Sequence, residues 1–182
     1  GCISLKSGVT LNLDFHAVLL GSVNPFDYIR EGQLLHFINA DRAQNIGITG
    51  EGTIDGQGWK LAMTIDSLFF ASKWDDPNYN YRRHRPERRP KLLNFSGSDN
   101  IVIDGITVKN SANWVLNFDR CSNMIINNVT VESDDYWNND GMDIGDCRNV
   151  RITNCFVNSA DDGICLKSHH KGHANDSIYI AN

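Results

Sequence analysis

The sequence predicts an all-β fold, a right-handed parallel β-helix in which the chain winds as a solenoid. Three observations carry that prediction. An alternating apolar segment led by Asn or Ser recurs five times, two further short strands flank most recurrences, and asparagine supplies 21 of 182 residues. The recurrences are Asn45–Ile48, Asn100–Ile103, Asn123–Ile126, Asn149–Ile152 and Ser177–Ile180, at steps of 55, 23, 26 and 28 residues. Strict alternation of apolar and polar positions marks a strand. Asparagine is poor in helix interiors and favours turns.

The elements follow from that register. A strand precedes each Asn: His36–Ile38, Leu93–Phe95, Leu116–Phe118, Met142–Ile144 and Ile164–Leu166. Another follows in Gly105–Val108, Asn128–Val131 and Asn154–Val157. Three short strands joined by Asn, Asp and Gly turns make one coil, and stacked coils share the core that a lone coil cannot close. Strands of adjacent coils then lie about 4.8 Å apart. Asn100, Asn123 and Asn149 fall at equivalent turns, where their amides can hydrogen-bond along the axis. Cys121 and Cys147 stack in neighbouring coils, as thiols in preference to a disulfide, and Cys155 reads as core beside Ile106 and Val129. A leucine-rich repeat would need a Leu framework and a helical half. A β-sandwich gives no reason for coil-to-coil register. Residues 1–182 therefore form one partial β-helix domain, with a loop insertion at about 58–90 that carries Trp59, Trp74, Tyr79 and Tyr81. Such an insertion emerges on one face, where its aromatic and basic side chains suit an anionic sugar or merely pack the loop.

Composition narrows the function. The chain is 41% hydrophobic and 21% charged, with four prolines, which excludes a disordered tail and a proline-rich linker. No apolar stretch approaches the roughly 20 residues of a membrane helix, so no membrane insertion is expected. The net charge is −5, yet six of the 17 Lys and Arg lie between Arg82 and Lys91 beside a single acid, Glu87. The remaining surface, with 11 basic and 21 acidic side chains, should repel nucleic acid. The basic run either meets an anionic ligand or is a solvated loop. Cys2, Cys121, Cys147, Cys155 and Cys165 show no CxxC spacing and indicate no metal site. The chain opens at Gly1-Cys2-Ile3 with neither an initiator Met nor a signal-peptide pattern, as expected of an internal piece.

The carboxylates point to chemistry. Asn139-Asp140-Gly141-Met142-Asp143-Ile144 and Asp161-Asp162-Gly163-Ile164-Cys165-Leu166 are nearly the same hexapeptide on adjacent coils. Stacking puts Asp140 beside Asp162, with Asp161 adjacent. Crowded carboxylates perturb one another and cluster at functional sites. They could hold calcium, as a β-helix lyase would, or divide acid and base roles in glycoside hydrolysis. A repeated Asp-Gly turn accounts for Asp140 and Asp162 but not for Asp161.

Asn138-Asn139-Asp140-Gly141, followed on the next coil by Asp161-Asp162, resembles the polygalacturonase family, glycoside hydrolase family 28. That family's pattern is Asn-Thr-Asp-Gly and then an Asp-Asp pair. Gly50–Gly58 is similar to its Gly-x-Gly-x-Ile-Asp-Gly-x-Gly segment, and Leu5–Leu11, Arg88-Arg89-Pro90 and Leu166-Lys167-Ser168 extend the likeness along nearly the whole chain. The resemblance implies inverting hydrolysis of α-linked galacturonan or rhamnogalacturonan in pectin. Asp161 would be the general acid, and Asp140 and Asp162 would hold and deprotonate the attacking water. Asn138, Lys167, Arg88 and Arg89 would bind substrate, with no metal and no cofactor. It further implies a monomeric enzyme secreted to the periplasm or cell exterior. A calcium-dependent lyase and a non-catalytic glycan-binding β-helix are the alternatives.

Departures qualify the likeness. Asn139 stands for the usual Thr and Gly163 for the common Cys. The family's Gly-His-Gly and Arg-Ile-Lys would lie beyond Asn182, and Gly172-His173-Ala174 falls too early to replace the former. The isolated chain is therefore expected to catalyse poorly and, with uncovered coils at its ends, to tend to aggregate. His169, His170 and His173 suggest either a metal site or a polar turn, and read as the latter.

Overall fold

The computed structural model describes residues 1–80, 82 and 85–182. Tyr81, Arg83 and His84, counted above with the insertion's aromatic and basic run, lie outside the described residues.

The chain winds as a right-handed parallel β-helix with three long sheets along its axis. The first sheet holds Ile3–Ser4, Ile38–Asp41, Leu93–Ser96, Leu116–Asp119, Met142–Gly145 and Ile164–Lys167. The second holds Thr10–Leu13, Gln44–Gly50, Asp99–Asp104, Ser122–Asn127, Arg148–Thr153 and Asp176–Ala181. The third holds Val18–Leu20, Thr53–Asp55, Thr107–Lys109, Thr130–Ser133 and Phe156–Ser159. The sequence-derived strands of the first and second sheets match, except that the expected His36–Ile38 strand lies two residues later, at Ile38–Asp41. In the third sheet the expected Gly105–Val108, Asn128–Val131 and Asn154–Val157 also start two residues later, at Thr107, Thr130 and Phe156, because Gly105, Asn128 and Asn154 form the corner.

Each coil turns where single residues adopt left-handed backbone. Asn45, Asn100, Asn123, Asn149 and Ser177 have φ between 53° and 57° at one equivalent position. Gly50, Gly105, Asn128 and Asn154 share a second, and Arg42, Gly97, Arg120 and Asp146 a third. Only Gly, and next Asn and Asp, enters this region at little cost, which explains the asparagine excess. Gly105 is required twice over, because a Cβ there would stand 2.3 Å from the Gly50 carbonyl oxygen. The expected amide ladder forms in two pieces. Asn100 donates to Asn45 at 2.6 Å and Asn149 to Asn123 at 2.7 Å, but Asn123 turns to the Asp99 carboxylate instead.

Inward positions stack into one core. Ile48, Ile103, Ile126 and Ile152 form one buried column, and Ile54, Val108 and Val131 another. Phe95 and Phe118 meet edge-on, 5.7 Å between ring centroids, a favoured aromatic geometry. Cys121 and Cys147 are buried free thiols in register, and Cys155 packs against the core. On the last coil Phe156, Leu166 and Tyr179 are exposed.

The insertion is not all loop. It opens with a helix, Gly58–Phe70, whose Leu61, Ala62 and Ile65 are buried on one face. That spacing is helical; the surrounding turn-rich pattern masked it. Gly58 lets the helix start against the coils, since a Cβ there would meet the Ser111 carbonyl at 2.2 Å. At the far end Arg89 is fully buried. Its guanidinium donates to the carbonyls of Ala112 and Trp137 and to the Asn138 side chain, and lies over the Tyr136 ring.

Two measurements follow. His36 is held neutral, its pKa lowered to about 4 by burial and by the nearby Lys91 charge, while its Nδ1 accepts the Lys91 backbone N–H. Below pH 6.5 the unfolded chain takes a proton that folded His36 refuses until about pH 4, so stability falls as pH drops through that window. His36→Gln should remove up to about 3 kcal/mol of this slope in urea titrations. Arg89→Met should lower stability by about 3 kcal/mol or more, because buried acceptors lose their donor, whereas Arg88→Met should cost under about 1 kcal/mol.

Candidate active site

Differences in coil length build the site. One coil passes from Lys109 to Leu116 through residues 110–115, while the next passes from Glu132 to Met142 through 133–141. The longer passage carries Asp134, Asp135, Tyr136 and Trp137 over the surface. With Trp59, Asn138, Ala160 and Asp161 they line an open groove of about 380 Å³. The last coil is longer elsewhere: residues 168–175 join Lys167 to Asp176, where only Asp146 and Cys147 join Gly145 to Arg148.

Register brings the predicted aspartates together. Met142 pairs with Ile164, and the Gly141 N–H donates to the Asp162 carbonyl at 2.8 Å. Asp140 and Asp162 are thus stacked neighbours on adjacent coils. Asp140 is buried, whereas Asp161 and Asp162 are exposed. The Asp161 carboxylate accepts the Asp162 N–H at 3.1 Å, and Ser159 Oγ donates to both of their carbonyls.

Lys167 ties the cluster. Its ammonium lies 2.8 Å from Asp140 Oδ2, 2.5 Å from Asp143 Oδ1 and 3.9 Å from the Trp114 ring centroid. Burial works against that charge, but the hydrogen bonds to Asp140 and Asp143 outweigh it and raise the Lys167 pKa. The cation is therefore permanent near neutrality. Burial raises the Asp143 pKa, opposed by the Cys165 thiol and Lys167. The Cys165 thiol is pushed up to about 12 by burial and then by Asp143, which makes it a poor nucleophile. Asp140 Oδ1 is buried and meets no donor among the described residues.

The predicted binding residues divide. Asn138, in left-handed backbone, lines the groove and accepts from Arg89 at 2.8 Å. Lys167 stands within the acidic cluster. Arg89, expected to meet substrate, is instead enclosed: all its exposure is lost to Ala112, Trp137 and Asn138, so it positions the groove loop. Arg88, also expected to meet substrate, turns aside, with its guanidinium on the Asp75 carbonyl at 3.0 Å and 3.8 Å from Asp76. Asn139, the departure from Thr, is buried and bridges coils, accepting from Ser133 and donating to the carbonyls of Ser111 and Asn113.

Sequence reasoning missed several groups. Asp143 was visible only as a strand residue, although its column in the first sheet runs Asn39, Asn94, Asn117, Asp143 and Cys165. Trp114 gave no signal; it collects Lys91 at 4.2 Å and Lys167 on its ring. Burial pushes the Lys91 ammonium down to about 8, against the pull of Asp143 and Asp119. Burial also raises the Asp135 pKa, helped by the charges of Asp134 and Asp55.

Comparison with known proteins agrees with this geometry. The profile described as Glycosyl hydrolases family 28 matches residues 2–182. The exo-poly-alpha-D-galacturonosidase of Dickeya chrysanthemi is 28% identical over 90% of this chain and 34% of its own length. The polygalacturonase of Ralstonia solanacearum is 25% identical over 92% of this chain and 40% of its own. The chain thus spans about a third to two fifths of the length of these relatives. Among solved structures, the polygalacturonase of Erwinia carotovora ssp. carotovora superposes with TM-score 0.78 at 25% identity, over all of this chain and 50% of that one. The family 28 exopolygalacturonase of Yersinia enterocolitica gives TM-score 0.74 at 28% identity, over 88% and 36%. Profile, relatives and superposed coils converge, and the chain belongs to glycosyl hydrolases family 28.

Proposed function

We propose that this chain forms the catalytic segment of an enzyme that hydrolyses α-glycosidic bonds in pectin, galacturonan or rhamnogalacturonan, by an inverting acid–base mechanism. One observation carries the reading: Asp140 and Asp162 stack on adjacent coils, and Asp161 stands beside them at a groove walled by Trp59 and Trp137. Asp161, open to solvent at that groove, protonates the departing glycosidic oxygen. Asp140 and Asp162 hold the attacking water on the opposite face of the sugar and take its proton. An inverting enzyme needs its acid and base about 6.5–9.5 Å apart to admit that water, a spacing that suits side chains on neighbouring coils.

The surroundings support the same roles. Lys167 supplies a fixed counter-cation to Asp140, and its position over Trp114 sets a cation beside an aromatic face. Uronate sugars offer a carboxylate for the one and an apolar ring face for the other. Lys91, also over the Trp114 ring, adds a second cation. Arg89 acts indirectly by fixing Asn138. A polymer of this kind is met outside the cytoplasm, and we place the enzyme there.

Three outcomes test the reading, in protein expressed with its natural flanking residues. Asp161→Asn should lower kcat on polygalacturonate by about 10²- to 10⁴-fold, measured as reducing-sugar release. Lys167→Met should lower kcat/KM by about tenfold or more, since it leaves buried Asp140 and Asp143 without their cation. Products should be saturated and of inverted anomeric configuration by NMR. Absorbance from an unsaturated uronide, abolished by chelator, would establish a lyase instead, and binding without turnover a lectin-like coil.

A further inference from the structure

We propose that Asp119, Asp146 and His170 bind a divalent transition-metal ion of the zinc class, beside a second groove on the outer face of the first sheet. The three residues come from three successive coils. A carboxylate oxygen of each aspartate and a ring nitrogen of His170 lie within 4.8 Å of one another. His170 Nε2 already stands 3.0 Å from Asp119 Oδ1. Zinc bonds of about 2.0–2.2 Å to such ligands hold neighbouring donor atoms roughly 3.5 Å apart, so small side-chain rotations suffice.

A second observation points to a ligand. Asp146 is only 7% exposed, and its Oδ1 is buried without a donor among the described residues. Its Oδ2 is filled by the backbone N–H groups of His169 at 3.0 Å and His170 at 2.9 Å. A buried acceptor without a partner calls for an explanation, an ion being one of the few available. Asp119 is likewise divided, with Arg120 on Oδ2 at 2.9 Å and His170 on Oδ1.

The turn that delivers His170 is the lengthened one, residues 168–175, and it is braced. Asn175 donates to the carbonyls of Ile144 and Lys167 and accepts the Cys147 N–H at 2.8 Å. His169 is turned elsewhere, over Gly145, where a Cβ would stand 3.0 Å from its ring, and towards Trp114. One imidazole with two carboxylates favours zinc and its neighbours over calcium or magnesium, which prefer oxygen alone. Asp119 and His170 also line the groove of about 310 Å³ with Lys91 and Trp114. Three protein ligands would leave the ion an open position for water there. The polar turn expected from His169, His170 and His173 thus hides a site, because both aspartates are distant in sequence.

The test is titration of the untagged chain with Zn²⁺ by calorimetry, and with Co²⁺ by visible absorption. One ion per chain is expected, with a thermal midpoint that rises on adding zinc. His170→Ala, at an exposed residue, and Asp119→Asn, at a half-buried one, should each weaken binding at least tenfold and abolish the thermal shift, with circular dichroism unchanged. His173→Ala should bind as the parent does. Absence of saturable binding, undiminished binding by His170→Ala, or equal loss in His173→Ala would overturn the proposal. Asp146→Asn is a weaker probe, since Asp146 also holds the turn's backbone.

Discussion

Everything in this molecule depends on superposing left-handed corners from one coil to the next. A parallel strand can pair with the coil below only if both leave their turns at the same height and angle. Single residues at φ between 48° and 110° accomplish this at equivalent positions, and the choice among Gly, Asn and an occasional charged residue is set by how much space the neighbouring corner leaves. Where the backbones nearly touch, as Gly105 does Gly50, no side chain fits. Where they do not, an asparagine accepts the conformation and uses its amide along the axis.

Once the corners are fixed, the outward columns acquire meaning. Inward positions can only be apolar, but outward ones on the first sheet line up polar groups at the spacing of the ladder. Charges held that close must be compensated. Lys167 does so for Asp140 and Asp143 together, with Trp114 covering its other side. The same crowding without such compensation would favour proton uptake or loss of the fold. Site and scaffold are therefore one arrangement seen from two sides, and substitution at Lys167 would disturb both.

The repeat was legible because backbone conformation and burial each leave a mark on residue type. Asn at the corner and alternation after it were enough to set the coils, the pairing of Asp140 with Asp162, and the stacking of Cys121 on Cys147. The helix Gly58–Phe70 was not legible, because it lies in an excursion without the coil's period. Arg89 misled for a different reason. Its charge suggested an external partner, and only the packing of the Trp137 loop shows that three internal acceptors claim it. Trp114, Asp143 and Asp146 were hidden by context, since a side chain's neighbours across coils are 22 to 55 positions away in sequence.

The excursion between Asp55 and Leu93 leaves and re-enters the stack without shifting it: Thr53 still pairs with Thr107, and Ile46 with Ile101. Register is carried by neighbouring corners and is indifferent to what happens outside them. The cost of closing a longer loop grows only as the logarithm of its length, about 0.6 kcal/mol per doubling. That corner is therefore a port where the stretch ahead of Arg89 can be exchanged while the coils, and the aspartates they carry, keep their register. Evolution, or an engineer grafting a foreign lid, can redraw the rim of the groove without renegotiating the spindle beneath it.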